Sequence, residues 1–75
     1  MADLQDIQAQ KQFGKRLAQL RKERGFTQAQ LADKIDMSVV AIAYLETGRR
    51  WARIGTLVKI SKALHASLRD LFDFR

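Results

Sequence analysis

The sequence predicts an all-α chain of five short helices, on three observations. Proline is absent and the four glycines fall at 14, 25, 48 and 55, so helices can run unbroken between a few placed stops. Between those stops apolar residues recur at three- and four-residue spacing, the period of one helix face. Thr27, Ser38 and Ser67 each stand just before such a run, where a hydroxyl can accept an orphan amide of the first turn.

The first helix is expected from about Leu4 or Ile7 to Arg24. Phe13, Leu17 and Leu20 form its inner stripe, with Lys15, Arg16, Arg21 and Lys22 interleaved. Gly25 ends it in the left-handed region and Phe26 packs beyond. Leu4 and Ile7 either extend the helix or belong to a frayed extension over residues 1–10, with the core spanning 11–73.

Thr27 opens the second helix, about 28–35, and Gln30 completes a capping box. Leu31, Ala32 and Ile35 are its buried positions, and Asp36 with Met37 makes the turn. Ser38 caps the third helix, about 39–47, which turns Ile42 and Leu45 inward and stops at Gly48. A basic loop, Arg49 to Arg53, leads to a fourth helix over Ile54–Leu64 that buries Leu57, Ile60 and Leu64. Gly55 weakens its start, and Ser67 caps a last short helix containing Leu68, Leu71 and Phe72.

At 75 residues the chain has room for one domain. A domain this small buries only about 60% of its unfolded surface, so association with a second copy would be a natural supplement. No cysteine is present, which excludes disulfides and thiolate metal sites and fits a reducing cytoplasm. No stretch approaches the roughly 20 apolar residues of a membrane span, and the acidic start does not read as a secretory leader. No nucleophile–histidine–carboxylate set, glycine-rich phosphate loop or cluster of metal ligands can be assembled, so neither an enzyme nor a cofactor is expected.

The net charge is +6, and the pI is near 10.3. Such a balance points to a polyanion, nucleic acid before membrane surface. Residues 13–24 and 49–75 carry the positive charge, whereas 25–48 are net negative. The cations thus flank the central segment.

Two capped short helices joined by a very tight turn, over 27–48, have helix-turn-helix geometry. One helix can aim its first amides at phosphate while the other enters the major groove. Here the chain resembles the phage-repressor and Cro-like (Xre-like) helix-turn-helix family. The resemblance rests on GKRLAQLRKERGFTQAQLA from Gly14, on Ser38 and Ile42, on LETG at 45–48, and on TLVKISKAL at 56–64. Length and the DLFDF ending are most similar to stand-alone members: restriction-modification controllers, small phage repressors and antitoxin-type regulators.

The resemblance implies a five-helix, lambda-repressor-like fold and a sequence-specific regulator of transcription on double-stranded DNA. A homodimer acting as an autorepressor or controller is the expected form, with no small-molecule ligand. It implies that Gln28 meets a backbone phosphate, and that Arg21 and Glu46 form a mostly buried ion pair, Arg21 also lying within reach of phosphate. Thr47, Arg49 and Arg50 match the loop that tracks the backbone. With Thr27, Ser38 and Arg53 they complete the expected phosphate contacts.

The base-facing positions are Val39, Val40, Ala43 and Tyr44, since Ile42 and Leu45 point inward. The family favours side chains with paired donors and acceptors there, and only Tyr44 offers a polar group. Two readings stay open. In one, methyls pack on thymine methyls and DNA shape supplies further selectivity. In the other, the apolar helix meets a protein, as in an antitoxin or an adaptor to the transcription machinery.

Trp51, Ala52 and Arg53 stand where the family often has a capping segment before the fourth helix, and Asp36 and His65 where it prefers left-handed glycine. Leu68, Leu71, Phe72 and Phe74 are the candidate dimer residues, with closure of the monomer core as the competing role for the first three.

Overall fold

The computed structural model describes residues 4–74, with side chains from Asp6 onward. Five α-helices follow in order: α1 Leu4–Glu23, α2 Gln28–Lys34, α3 Val39–Glu46, α4 Ile54–Leu64 and α5 Leu68–Leu71. No strand occurs among the described residues. The helix is formed from Leu4, so residues 4–10 extend α1; residues 1–3 and the Leu4 side chain lie outside the described ones.

Each start is fixed locally. Thr27 Oγ1 accepts from the Gln30 amide at 3.0 Å while Gln30 Oε1 accepts from the Thr27 amide at 2.9 Å, a complete capping box. Ser38 Oγ accepts from the Ala41 amide at 3.0 Å. Ser67 and Asp70 make a second reciprocal box, and the Ser67 backbone amide, with its hydroxyl, holds the Asp70 carboxyl below the usual carboxylate range. The start of α4 lacks this device: Arg53 occupies the cap and makes no side-chain cap bond.

The stops share one design. Gly25, Asp36, Gly48 and His65 all have positive φ, at 81°, 58°, 74° and 50°. After each, the next amide reaches back over the last turn: Phe26 to Arg21, Met37 to Ala32, Arg49 to Tyr44, Ala66 to Ser61. These are Schellman closures, and at Asp36 and His65 the chain accepts the strain of a side chain in the left-handed region.

The core gathers Phe13, Leu17, Leu20, Leu31, Ile35, Ile42, Leu45, Leu57, Ile60, Leu64 and Leu71, with Met37 packed on it from the turn. The ring of Phe13 stacks on Phe72 at 5.1 Å and meets Trp51 at 5.9 Å, so the indole braces the loop against α1. Arg16 Nε donates to the Asp70 carbonyl at 2.8 Å and Arg24 Nε to the Leu64 carbonyl at 2.8 Å, tying α1 to the ends of α5 and α4.

Gly14 shapes the whole arrangement. A Cβ there would lie 2.3 Å from the Glu46 carbonyl oxygen and 2.6 Å from that of Leu45, so only glycine lets α1 and α3 cross this closely. Gly48 is constrained twice, by its φ and by the Lys11 backbone, 2.7 Å from where a Cβ would stand.

Candidate nucleic-acid interface

The helix-turn-helix is held from behind by one carboxylate. Glu46, at the end of α3, accepts from Arg21 Nε at 2.6 Å and from Arg21 Nη2 at 3.1 Å. Gln28, the first residue of α2, donates its Nε2 to the same carboxylate at 2.9 Å. Arg21 Nη1 donates to the Phe26 carbonyl at 2.7 Å. Three helices and the α1–α2 turn thus converge on a pair whose side chains are 9% and 6% exposed.

Burial of this kind would be costly without full pairing. No buried side-chain polar atom among the described residues lacks a partner. Arg21 is therefore held chiefly by the interior, with three of its five N–H groups donating within the protein. Gln28 stands half-buried with one amide proton engaged by Glu46 and one still to give.

In front, α3 turns Ile42 and Leu45 into the core and leaves Val39 and Val40 44% and 58% exposed, with Ala43 and Tyr44 half-exposed beside them. This outer face has no charged side chain, since the helix's one carboxylate is used behind it. The hydroxyls of Thr27 and Ser38 each accept from a first-turn amide and keep an O–H to donate. Thr47 instead gives its proton to the Ala43 carbonyl at 2.8 Å.

Arg49, Arg50 and Arg53 are all exposed, in the loop directly after α3. The guanidinium carbons of Arg49 and Arg50 sit 5.7 and 4.9 Å from the centre of the Tyr44 ring. Sequence reading missed that stacking, although a Schellman closure routinely returns the residue after the glycine to the last turn.

The dimer candidates separate. Leu71 is fully buried and fills the core, and Phe74 is half-buried on that core, 6.2 Å from Phe72. Leu71 is thus withdrawn as a dimer contact, while Leu68 and Phe72 remain 44% and 40% exposed. Sequence reading also missed Ile54, 75% exposed, and Val58, 38% exposed, one turn apart on α4. Their spacing held the signal: both fall off the Leu57–Ile60–Leu64 stripe. No helix among the described residues is long and apolar enough to cross a membrane.

Known proteins share this architecture. The restriction-modification controller protein C.AhdI from Aeromonas hydrophila superposes with a TM-score of 0.79 at 31% identity, covering 83% of this chain and 94% of its own. An HTH_3 family transcriptional regulator from Vibrio cholerae gives a TM-score of 0.80 at 31% identity, over 89% of this chain but 38% of its own length. No curated protein matches the chain. The family model HTH_3, helix-turn-helix, matches residues 17–71, which takes in the buried Arg21–Glu46 pair, both caps and the arginine loop. The chain belongs to the HTH_3 helix-turn-helix family of DNA-binding, Xre/Cro-like transcription regulators.

Proposed function

We infer that this protein is a sequence-specific regulator that docks α3 in the major groove of a double-stranded operator. The observation that carries the reading is the contrast across α3. An outward face of Val39, Val40, Ala43 and Tyr44 is bracketed by the capped starts of α2 and α3 on one side and by Arg49, Arg50 and Arg53 on the other. Phosphate is met by the hydroxyls of Thr27 and Ser38, by the remaining amide proton of Gln28 and by the three arginines; Thr47 joins them only by turning its hydroxyl away from the Ala43 carbonyl. Valine and alanine methyls pack on thymine methyls, and DNA shape contributes the rest of the selectivity.

The protein acts as a homodimer on two half-sites about 34 Å apart, because one short helix reads too few base pairs. Ile54 and Val58 on α4 with Leu68 on α5 and Phe72 at its C-cap supply the apolar contact. The likeness to a restriction-modification controller over nearly the whole of that protein supports a controller or autorepressor in the cytoplasm.

Selection of bound sequences from a random DNA pool gives the operator, and its affinity is then measured against salt. Replacing both Arg49 and Arg50 by Ala should lower the slope of log K against log salt by about 2, as two phosphate contacts are lost. Unchanged affinity and slope in that variant would overturn DNA docking in favour of a protein partner, such as a toxin or the transcription machinery, for the apolar face of α3.

A further inference from the structure

We propose that Tyr44 is a positioning residue: its ring is the platform that aims Arg49 and Arg50 at the DNA. The proposal rests on the docking of α3 given above and changes the part Tyr44 plays in it. Three observations carry it.

The Schellman closure of α3 donates the Arg49 amide to the Tyr44 carbonyl at 2.9 Å, which folds the loop back along the last turn. That path requires φ +74° at Gly48. The closure alone fixes where the backbone of residue 49 lies. It leaves two long side chains with many rotamers.

The ring removes that freedom. Both guanidinium carbons lie over Tyr44, Arg50 at 4.9 Å and Arg49 at 5.7 Å, within the range of a cation–π contact. Neither arginine has a carboxylate partner among the described residues, so no described carboxylate competes with the ring or with phosphate for them. A cation–π contact consumes no conventional acceptor, and no described residue accepts from either guanidinium, so N–H groups remain to donate.

The outer face of α3 makes this matter. Val39, Val40 and Ala43 can only pack. Directional hydrogen bonding at the groove therefore has to come from beside the helix, and immobilising a flexible side chain at the moment of binding weakens affinity. Arginines already laid down on an aromatic ring meet the DNA with that cost largely removed.

The test compares four variants: Tyr44→Phe, Tyr44→Leu, Arg49→Ala/Arg50→Ala, and the triple variant Tyr44→Leu/Arg49→Ala/Arg50→Ala. Affinity is measured for the selected operator and for unrelated DNA. Tyr44→Phe keeps the ring face and should bind within about twofold of the parent, with its preference for the operator intact. Tyr44→Leu should bind about tenfold more weakly, but less than about twofold more weakly when Arg49 and Arg50 are already Ala. In the free protein, the δ-methylene protons of both arginines should show ring-current shifts that Tyr44→Phe keeps and Tyr44→Leu abolishes.

A Phe variant as defective as the Leu variant would overturn the proposal, since the hydroxyl would then be reading a base. An undiminished Leu effect in the triple variant would overturn it too, the ring then acting on DNA directly. Should Arg49→Ala/Arg50→Ala itself leave binding unchanged, the docking of α3 falls, whatever the ring-current shifts show.

Discussion

Arg21 and the pair Arg49–Arg50 are the same residue type put to opposite uses. Arg21 is 7% exposed, and its Nε, Nη1 and Nη2 all donate within the protein. Arg49 and Arg50 are exposed, rest on an aromatic ring and have no carboxylate partner among the described residues. Charge alone therefore says little about what an arginine does in a basic domain. The number of its donors already engaged inside the fold decides whether any remain for a ligand.

The largest effect separates the two uses. Arg21→Ala leaves the Glu46 carboxylate buried without its main partner and should cost about 3–5 kcal/mol in urea denaturation. Arg49→Ala/Arg50→Ala should shift the same curve by less than about 0.5 kcal/mol, with its loss confined to DNA binding. Equal stability losses would erase the distinction.

Gly14→Ala tests whether the two regions are linked. The new methyl would press on the α3 backbone at Leu45 and Glu46, and overpacking of this kind costs about 1–3 kcal/mol. Because Glu46 and Tyr44 share that helix, operator affinity should fall together with the melting temperature.

Ile54→Glu leaves both arginine sites alone. With the residue 75% exposed in the single chain, its fold should be unaffected. Dimerisation followed by analytical ultracentrifugation should weaken about tenfold or more, the equivalent of losing one buried aliphatic side chain.

His65→Gly gives the smallest effect and has the opposite sign. Relief of a left-handed backbone, offset by the greater freedom of glycine in the unfolded chain, should stabilise by about 0.5–1 kcal/mol in thermal melts. DNA affinity should not change.

What the sequence made legible is what local chemistry decides. The caps at Thr27, Ser38 and Ser67 and the stops at Gly25 and Gly48 each follow from residues within one helical turn, whereas the left-handed turns at Asp36 and His65 were legible only through the family resemblance. The inward stripes of α2, α3 and α4 follow from periodicity. Partners far apart in the chain stayed hidden. Nothing in the sequence marks Gly14 as a helix crossing until the Glu46 carbonyl is seen against it, and Gln28 reads as an outward amide until the Glu46 carboxylate claims one of its protons.

Side-chain direction at the end of the chain was equally unreadable. Leu71 and Phe74 sit among apolar neighbours that suit a core as well as an interface. Only packing, with Leu71 at 0% exposure and Leu68 at 44%, assigns them.

One carboxylate holding α1, α2 and α3 together from the rear has a consequence for how such a regulator can diversify. Since Glu46, Arg21 and Gln28 set the pose of α3, the side chains at 39 and 40 carry little of the burden of folding. They form a replaceable panel on a fixed mount. New operator preferences can be sampled there one side chain at a time, by natural drift or in a combinatorial library, while the frame behind the panel stays the same.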